Sequence, residues 1–298
     1  MEFLLRHKVL NIVLFALTIF IYIGFTRPVD GNKLVDKNDP NYVNKLYISD
    51  QRIYEKHLND IEKQFYDKFK SAFLNYEDEF EVNFFFMGCE ENQECITYLT
   101  NGFDALLIDH PEILNLASYA YSYDTKGNCT IKIHKAIPFK LIEEIGIIRI
   151  EKMIDDVKRA TKHMSDEEKI KYVYNYIGTK AYYDKAFTYS SKNQSAFNFF
   201  INDNAVCAGF AKSAQIVFQN IGIESYTITG YTSARHMWNI VKYNDKYYYL
   251  DTTVANSAKV GESIYYEGLN QEFMNDYKVE HSSWYPRTEN KNMFKNLK

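Results

Sequence analysis

The stretch Ala205–Phe218, AVCAGFAKSAQIVF, puts a thiol at the mouth of an amphipathic helix in a chain with only four cysteines. Gly222 follows where a left-handed cap residue is wanted, so the spacing predicts a helix over 206–220. The first turn of such a helix offers unpaired backbone N–H groups and the positive end of its dipole. A thiol placed there ionises readily, and the same N–H groups can receive charge developing on an attacked carbonyl oxygen. A lone cysteine is more often a packed core residue, so Cys207 needs partners before it reads as a nucleophile.

The partners follow from the strands downstream. ESYTITGY, HMWNIVKY and KYYYLDTT each read as a strand, and the last two flank Asn244-Asp245, a tight-turn pair. If the hairpin turns there, Tyr243 faces Lys246, and counting outward brings Trp238 opposite Asp251. His236, two residues before Trp238, shares its face, which makes His236 and Asp251 diagonal neighbours about 7 Å apart at Cβ. An aspartate on one ring nitrogen fixes the tautomer and leaves the other nitrogen to exchange a proton with a thiol. Cys207, His236 and Asp251 together have the logic of an activated nucleophile. Trp238 reads as hairpin core and Asn239 as a polar strand or site-edge residue.

On VCAGFAKSAQ, GYTSARHMWNIV and YYYLDTT the sequence resembles the transglutaminase-like superfamily, a branch of the papain-fold cysteine enzymes, over about residues 165–256. DALLIDHPEIL, ahead of two strands, is similar to the leading region of bacterial members. The resemblance implies Cys207 as nucleophile, His236 as general base and acid, and Asp251 as the orienting carboxylate. It departs at Ala208, where the animal cross-linking enzymes carry an aromatic residue, and at Thr252-Thr253-Val254, where D-x-T-W is the common ending. By residue type alone, Gln194 is the candidate for an extra donor at the oxyanion site.

Upstream, Ser165-Asp-Glu-Glu168 forms a capping box that opens a helix over DEEKIKYVYNYIGTKA, after a helix over 141–164. LASYAYSYD and CTIKIHKAI alternate with period two around TKGN and predict a hairpin. The stretch 93–108 reads as helix, and Asp109-His110-Pro111 as the turn that ends it. FEVNFFFM, 80–87, fits either a strand or a buried helical turn, and apolar spacings from Tyr42 to about Asn75 predict one long helix. Helices that lead and antiparallel strands that follow give an α+β class, with the nucleophile helix packed on an antiparallel sheet. Cys89 and Cys95 can pair as a disulfide or remain free thiols, and neither has neighbours at metal-ligand spacing.

The N-terminus stands apart. Arg6, His7 and Lys8 precede a run from Val9 to Phe25 whose only polar side chains are Asn11, Thr18 and Tyr22. That length spans a bilayer, no A-x-A-like cleavage site follows, and the positive flank places the N-terminus in the cytoplasm. The expected organisation is an anchor at 1–27, a linker at 28–41, an accessory region at 42–164 and a catalytic domain at 165–298, with the main domain extracytoplasmic at the cell membrane. A net charge of -4 without a basic stripe excludes nucleic acid as a partner. No cofactor is implied. The expected activity is attack on a carboxamide or peptide carbonyl of a cell-envelope protein or peptide through a thioester, in the manner of a peptidase or amidase. Amine cross-linking, or a tethered binding scaffold without turnover, are the alternatives.

Overall fold

The computed structural model describes residues 44–46, 52–184, 191–253 and 277–289. The chain divides into Met1–Asp36, which lies outside the described residues, and a compact unit, Lys37–Lys298. The apolar run at 9–25 therefore falls outside them as well. No helix among the described residues is long and apolar enough to cross a membrane.

Helix and sheet are mixed throughout. The expected long helix at 42–75 is instead a short 3₁₀ turn, Glu55–His57, followed by α1, Asp60–Asn75. Two interactions, one local and one distant in sequence, override the periodicity. The Asn59 side chain accepts from the N–H groups of Ile61 and Glu62 in a capping box, so the helix starts there. The Asp109 carboxylate accepts from Ile53, Tyr54 and Glu55 N–H, which holds the preceding segment out of helical conformation. Strand β1, Glu79–Asn83, resolves the ambiguity of the 80–87 stretch in favour of a strand that ends in a turn. Helix α2, Asn92–Asp109, leads to the predicted hairpin of β2, Leu116–Tyr123, and β3, Asn128–Lys135. The sheet order is β1-β3-β2, antiparallel throughout.

Two helices follow: α3, Lys140–Thr161, and α4, Asp166–Lys180, the latter opened by the Ser165–Glu168 capping box. Between α4 and the Cys207 helix, the described residues hold a two-residue strand β4, Tyr182–Tyr183, a 3₁₀ turn Ser191–Gln194, a short helix α5, Ala196–Asn202, and β5, Asn204–Ala205. Helix α6, Cys207–Asn220, follows at once and ends where Gly222 takes φ +84°. Strands β6, Ser225–Tyr231, β7, Arg235–Tyr243, and β8, Lys246–Leu250, complete the meander. A fourth strand absent from the sequence reading, β9, Lys278–Val279, pairs with β6, giving the order β8-β7-β6-β9.

Two hydrophobic cores meet at α6. Phe210, Ala214, Val217 and Phe218 join Ile154, Val173, Ile177, Phe199, Val241 and Leu250 on one side. Ala208 and Ala211 join Phe65, Phe69, Phe103, Leu106, Ile131 and Met237 on the other. Residues 208–219 are all buried, so the polar groups of α6 look for partners inside the protein, and all but the Ser213 hydroxyl among those named here find one. Gln215 donates to Ile108 O at 3.2 Å and accepts from Thr227 N–H at 2.8 Å. Gln219 donates to Ser225 O at 3.0 Å, and Asn239 on β7 donates to Ala211 O at 2.9 Å.

The end of α2, read as a plain stop, is a buried ionic knot. Arg52 meets the His110 ring at 2.8 Å and Glu112 at 2.8 Å, and the His110 ring lies 2.9 Å from Glu112. Burial pushes His110 down, whereas Arg52 and His110 hold Glu112 well below the usual carboxylate range in spite of burial. The knot fixes Tyr54, whose hydroxyl donates to Thr227 O on β6 at 3.1 Å.

Lys212 is the exceptional charge on α6. It is 2% exposed, its Nζ donates to Leu116 O at 3.2 Å, and burial lowers its pKa to about 7. The unfolded amine titrates near 10.5, so the native state binds fewer protons between about pH 7 and 10.5, and stability rises with pH across that window. Lys212→Met is therefore expected to raise the melting temperature most below pH 7, by roughly 5 °C, with the gain shrinking towards pH 10. Thermal melts of both proteins across that range check it.

Candidate active site

Cys207 is the first residue of α6, half-buried and reduced. Val206 N–H donates to Asn193 O at 3.0 Å, and Phe210 N–H closes the first turn on Val206 O at 3.2 Å. The N–H groups of residues 207–209 thus have no acceptor within the helix. Only glycine fits at 209: a Cβ there would lie 2.6 Å from that of Ala205 and 3.1 Å from the carbonyl oxygens of Asn193 and Ser195. The helix start is in this way clamped between β5 and the 3₁₀ turn.

The hairpin register is the one counted from the turn. Asn244 and Asp245 both have positive φ, 49° and 60°, as a two-residue turn of this kind requires. Tyr243 pairs with Lys246, and the ladder runs outward to Asn239 opposite Leu250. His236 Nε2 lies 2.8 Å from Asp251 Oδ2, which leaves Nδ1 for a thiol. Burial works against an imidazolium, but the hydrogen bond to Asp251 and the adjacent Cys207 outweigh it and push His236 up to about 10. Asp251 is 1% exposed, and burial alone would raise its pKa. Its bonds from His236, Thr253 and Tyr277 hold it below the ordinary value.

Two tyrosines in the site have no counterpart in the sequence reading. Tyr183 pairs with Ala205 in the parallel β4–β5 bridge, and Asp184 N–H donates to Ala205 O at 2.9 Å, so Tyr183 stands beside Cys207. Its ring packs on Phe210 with centroids 5.9 Å apart, and burial together with the neighbouring Cys207 sulfur pushes its hydroxyl up to about 12. Gln194, the donor expected by residue type, makes no hydrogen bond to Cys207 among the described residues. Tyr277 donates to Asp251 Oδ2 at 2.7 Å. The aromatic repeat Tyr182-Tyr183 ahead of the helix was a usable local signal for the first of these. Nothing near Tyr277 in sequence points to Asp251.

The remaining cysteines lie apart from this chemistry. Cys89 and Cys95 form a disulfide, and Cys129 is buried, with burial pushing its thiol up to about 11. No group of His, Cys, Asp and Glu side chains among the described residues could hold a metal ion.

Residues 154–252, which include Cys207, His236 and Asp251, match the family model of the transglutaminase-like superfamily. Over this stretch the resemblance read from the three motifs is borne out. Solved structures similar to parts of the chain include a TGase, 17% identical over 46% of this chain and 44% of that one, with a TM-score of 0.34. A provisionally assigned cysteine protease from Cytophaga hutchinsonii is 13% identical over 46% of this chain and 62% of its own, with a TM-score of 0.31. The periplasmic domain of TgpA from Pseudomonas aeruginosa is 10% identical over 43% and 54%, with a TM-score of 0.29. The chain spans less than two thirds of the length of each of these structures. No curated protein matches it.

The His236–Asp251 pair carries a defined pH dependence. The folded imidazole titrates near 10 and the unfolded one near 6.5, so its stabilisation is complete below about pH 6.5 and lost as pH rises through 10. Asp251→Asn is expected to cost on the order of 3 kcal/mol near pH 6, because it removes one partner of a buried pair. Chemical denaturation of both proteins should show that difference shrinking towards pH 10.

Proposed function

We propose that the chain is a cysteine acyl-transfer enzyme that attacks a carboxamide or peptide carbonyl through Cys207, with peptidase- or amidase-like hydrolysis as its outcome. The observation that carries the reading is the 2.8 Å bond between His236 and Asp251, on a ring electrostatically coupled to the sulfur at the start of a buried helix. The resting imidazolium already holds the proton that the leaving amine needs, and the sulfur attacks as the thiolate. In the first step the sulfur bonds to the carbonyl carbon, the C–N bond breaks, and the His236 proton passes to the departing nitrogen. In the second, neutral His236 takes a proton from water, hydroxide displaces the thiolate from the thioester, and a free acid leaves. The N–H groups at the head of α6, which have no acceptor within the helix, are the electrostatic support available to the oxyanion in both steps.

Peptide libraries incubated with the full chain and a primary amine, then read by mass spectrometry, are expected to give products shortened or deamidated by one water. Cys207→Ala should abolish them and leave the melting temperature almost unchanged. Amine adducts as the main product would assign cross-linking instead, and no product from the wild type would favour a binding scaffold.

The working location in this reading is outside the cytoplasmic membrane, tethered through the N-terminal apolar run, with envelope protein or peptide as substrate. The Cys89–Cys95 disulfide supports it, since such bonds persist in oxidising compartments and are rare in the cytosol. Protease added to intact cells is expected to release the region beyond residue 28; full protection would reverse the assigned orientation.

A further inference from the structure

Asp251 has two oxygens, and the chain holds them by different means. Oδ1 accepts from Thr253 N–H at 2.9 Å and from Thr253 Oγ1 at 2.6 Å, both from the turn just beyond it. Oδ2 accepts from His236 at 2.8 Å and from Tyr277 Oη at 2.7 Å. With Thr253 alone the carboxylate could pivot about its own turn. The second donor on Oδ2 fixes the plane in which the imidazole must lie.

The ring that carries the Tyr277 hydroxyl is held against two aromatic neighbours. Its ring stands edge-on to Trp238, with centroids 4.9 Å apart and planes at 88°, and edge-on to His236 at 5.8 Å. Trp238 is fully buried and stacks on His236 at 5.9 Å with planes 19° apart. Tyr277 enters this nest because β9 docks on β6: Val279 pairs with Gly230, Lys278 pairs with Tyr231, and Glu280 N–H donates to Thr229 O at 3.0 Å. A side chain at 230 would collide with the Lys278 carbonyl and with Trp238, so glycine is what admits the strand. Beyond it, Glu280 meets Arg235 at 3.3 Å, and His281 meets Asp104 of α2 at 3.5 Å. The C-terminal strand therefore touches the triad's carboxylate, its imidazole and the helix behind them.

We propose that Tyr277 is a positioning residue for the Asp251–His236 pair, and that the pair takes its working geometry only with β9 docked beside Gly230. Its catalytic meaning rests on the acyl-transfer reading above. Tyr277 neither touches the sulfur's target nor donates a proton to the reaction. Its hydroxyl withdraws charge from the carboxylate and sets that group's orientation. A neutral donor to a carboxylate favours the ionised form, so its loss moves Asp251 protonation to higher pH.

The test is Tyr277→Phe, which keeps the ring against Trp238 and removes only the hydroxyl. The full chain in detergent, labelled with ¹⁵N-histidine, is titrated from pH 3 to 8, with the His236 ring signals assigned by their absence in His236→Asn. The acid-side inflection of the Nε2 resonance, which reports Asp251 protonation, is expected to move up by about one pH unit. Gly230→Ala should produce the same displacement, and Tyr277→Phe should add nothing further in that background. An unmoved inflection in Tyr277→Phe overturns the proposal, whatever happens to the melting temperature. Additive displacements overturn the dependence on β9. Iodoacetamide labelling of Cys207 runs alongside: a wild-type Cys207 no faster than a free thiol defeats the acyl-transfer reading and leaves the NMR result to decide the role of Tyr277.

Discussion

Burial of α6 on all sides is the constraint from which the rest of the structure follows. A helix sealed between two cores cannot leave polar groups to water, so Gln215, Gln219 and the Ala211 carbonyl each have a partner on a different neighbouring element. These bonds fix the helix in rotation and along its axis. Residues 208–219 are buried, and Cys207 is where the helix emerges to partial exposure. A sulfur set by so many independent contacts arrives at its place without needing a ligand to put it there.

The residues ahead of β2 contribute through the same logic. Arg52 and Glu112 are buried as an ion pair with the His110 ring against both, and Asp109 is fully enclosed with three backbone donors on its carboxylate. Removing one member would leave an uncompensated buried charge, at a cost on the order of 3–5 kcal/mol. What this arrangement secures is the strap at residues 52–57. Through it Tyr54 reaches the β6 backbone and packs edge-on to Tyr285, 5.0 Å away between ring centroids. The N-terminal and C-terminal ends of the described chain thus meet over the sheet that carries His236.

Much of the site was legible because its geometry is set locally. A two-residue turn with both residues left-handed admits one register, so counting from Asn244-Asp245 was enough to bring His236 and Asp251 to one face. The helix bounds at 166–180 and 207–220 were likewise written in a capping box and a terminal glycine. The misses share the opposite property. Tyr277 meets its partner across 26 residues, Arg52 meets His110 across 58, and Asp109 breaks the expected helix at 42–75 from more than 50 residues away. Periodicity reports which face a residue occupies, but it carries no record of a distant carboxylate that competes for the same backbone donors.

Lys212 and His236 stand on opposite sides of neutrality as counterweights. Folding strips a proton from the amine between about pH 7 and 10.5 and retains one on the imidazole between about 6.5 and 10. Over the shared range the two transfers offset each other, so the folding reaction exchanges almost no net protons at these positions. A hidden amine on α6 and a charged histidine beside its first residue thereby give opposing slopes to stability in mildly alkaline surroundings.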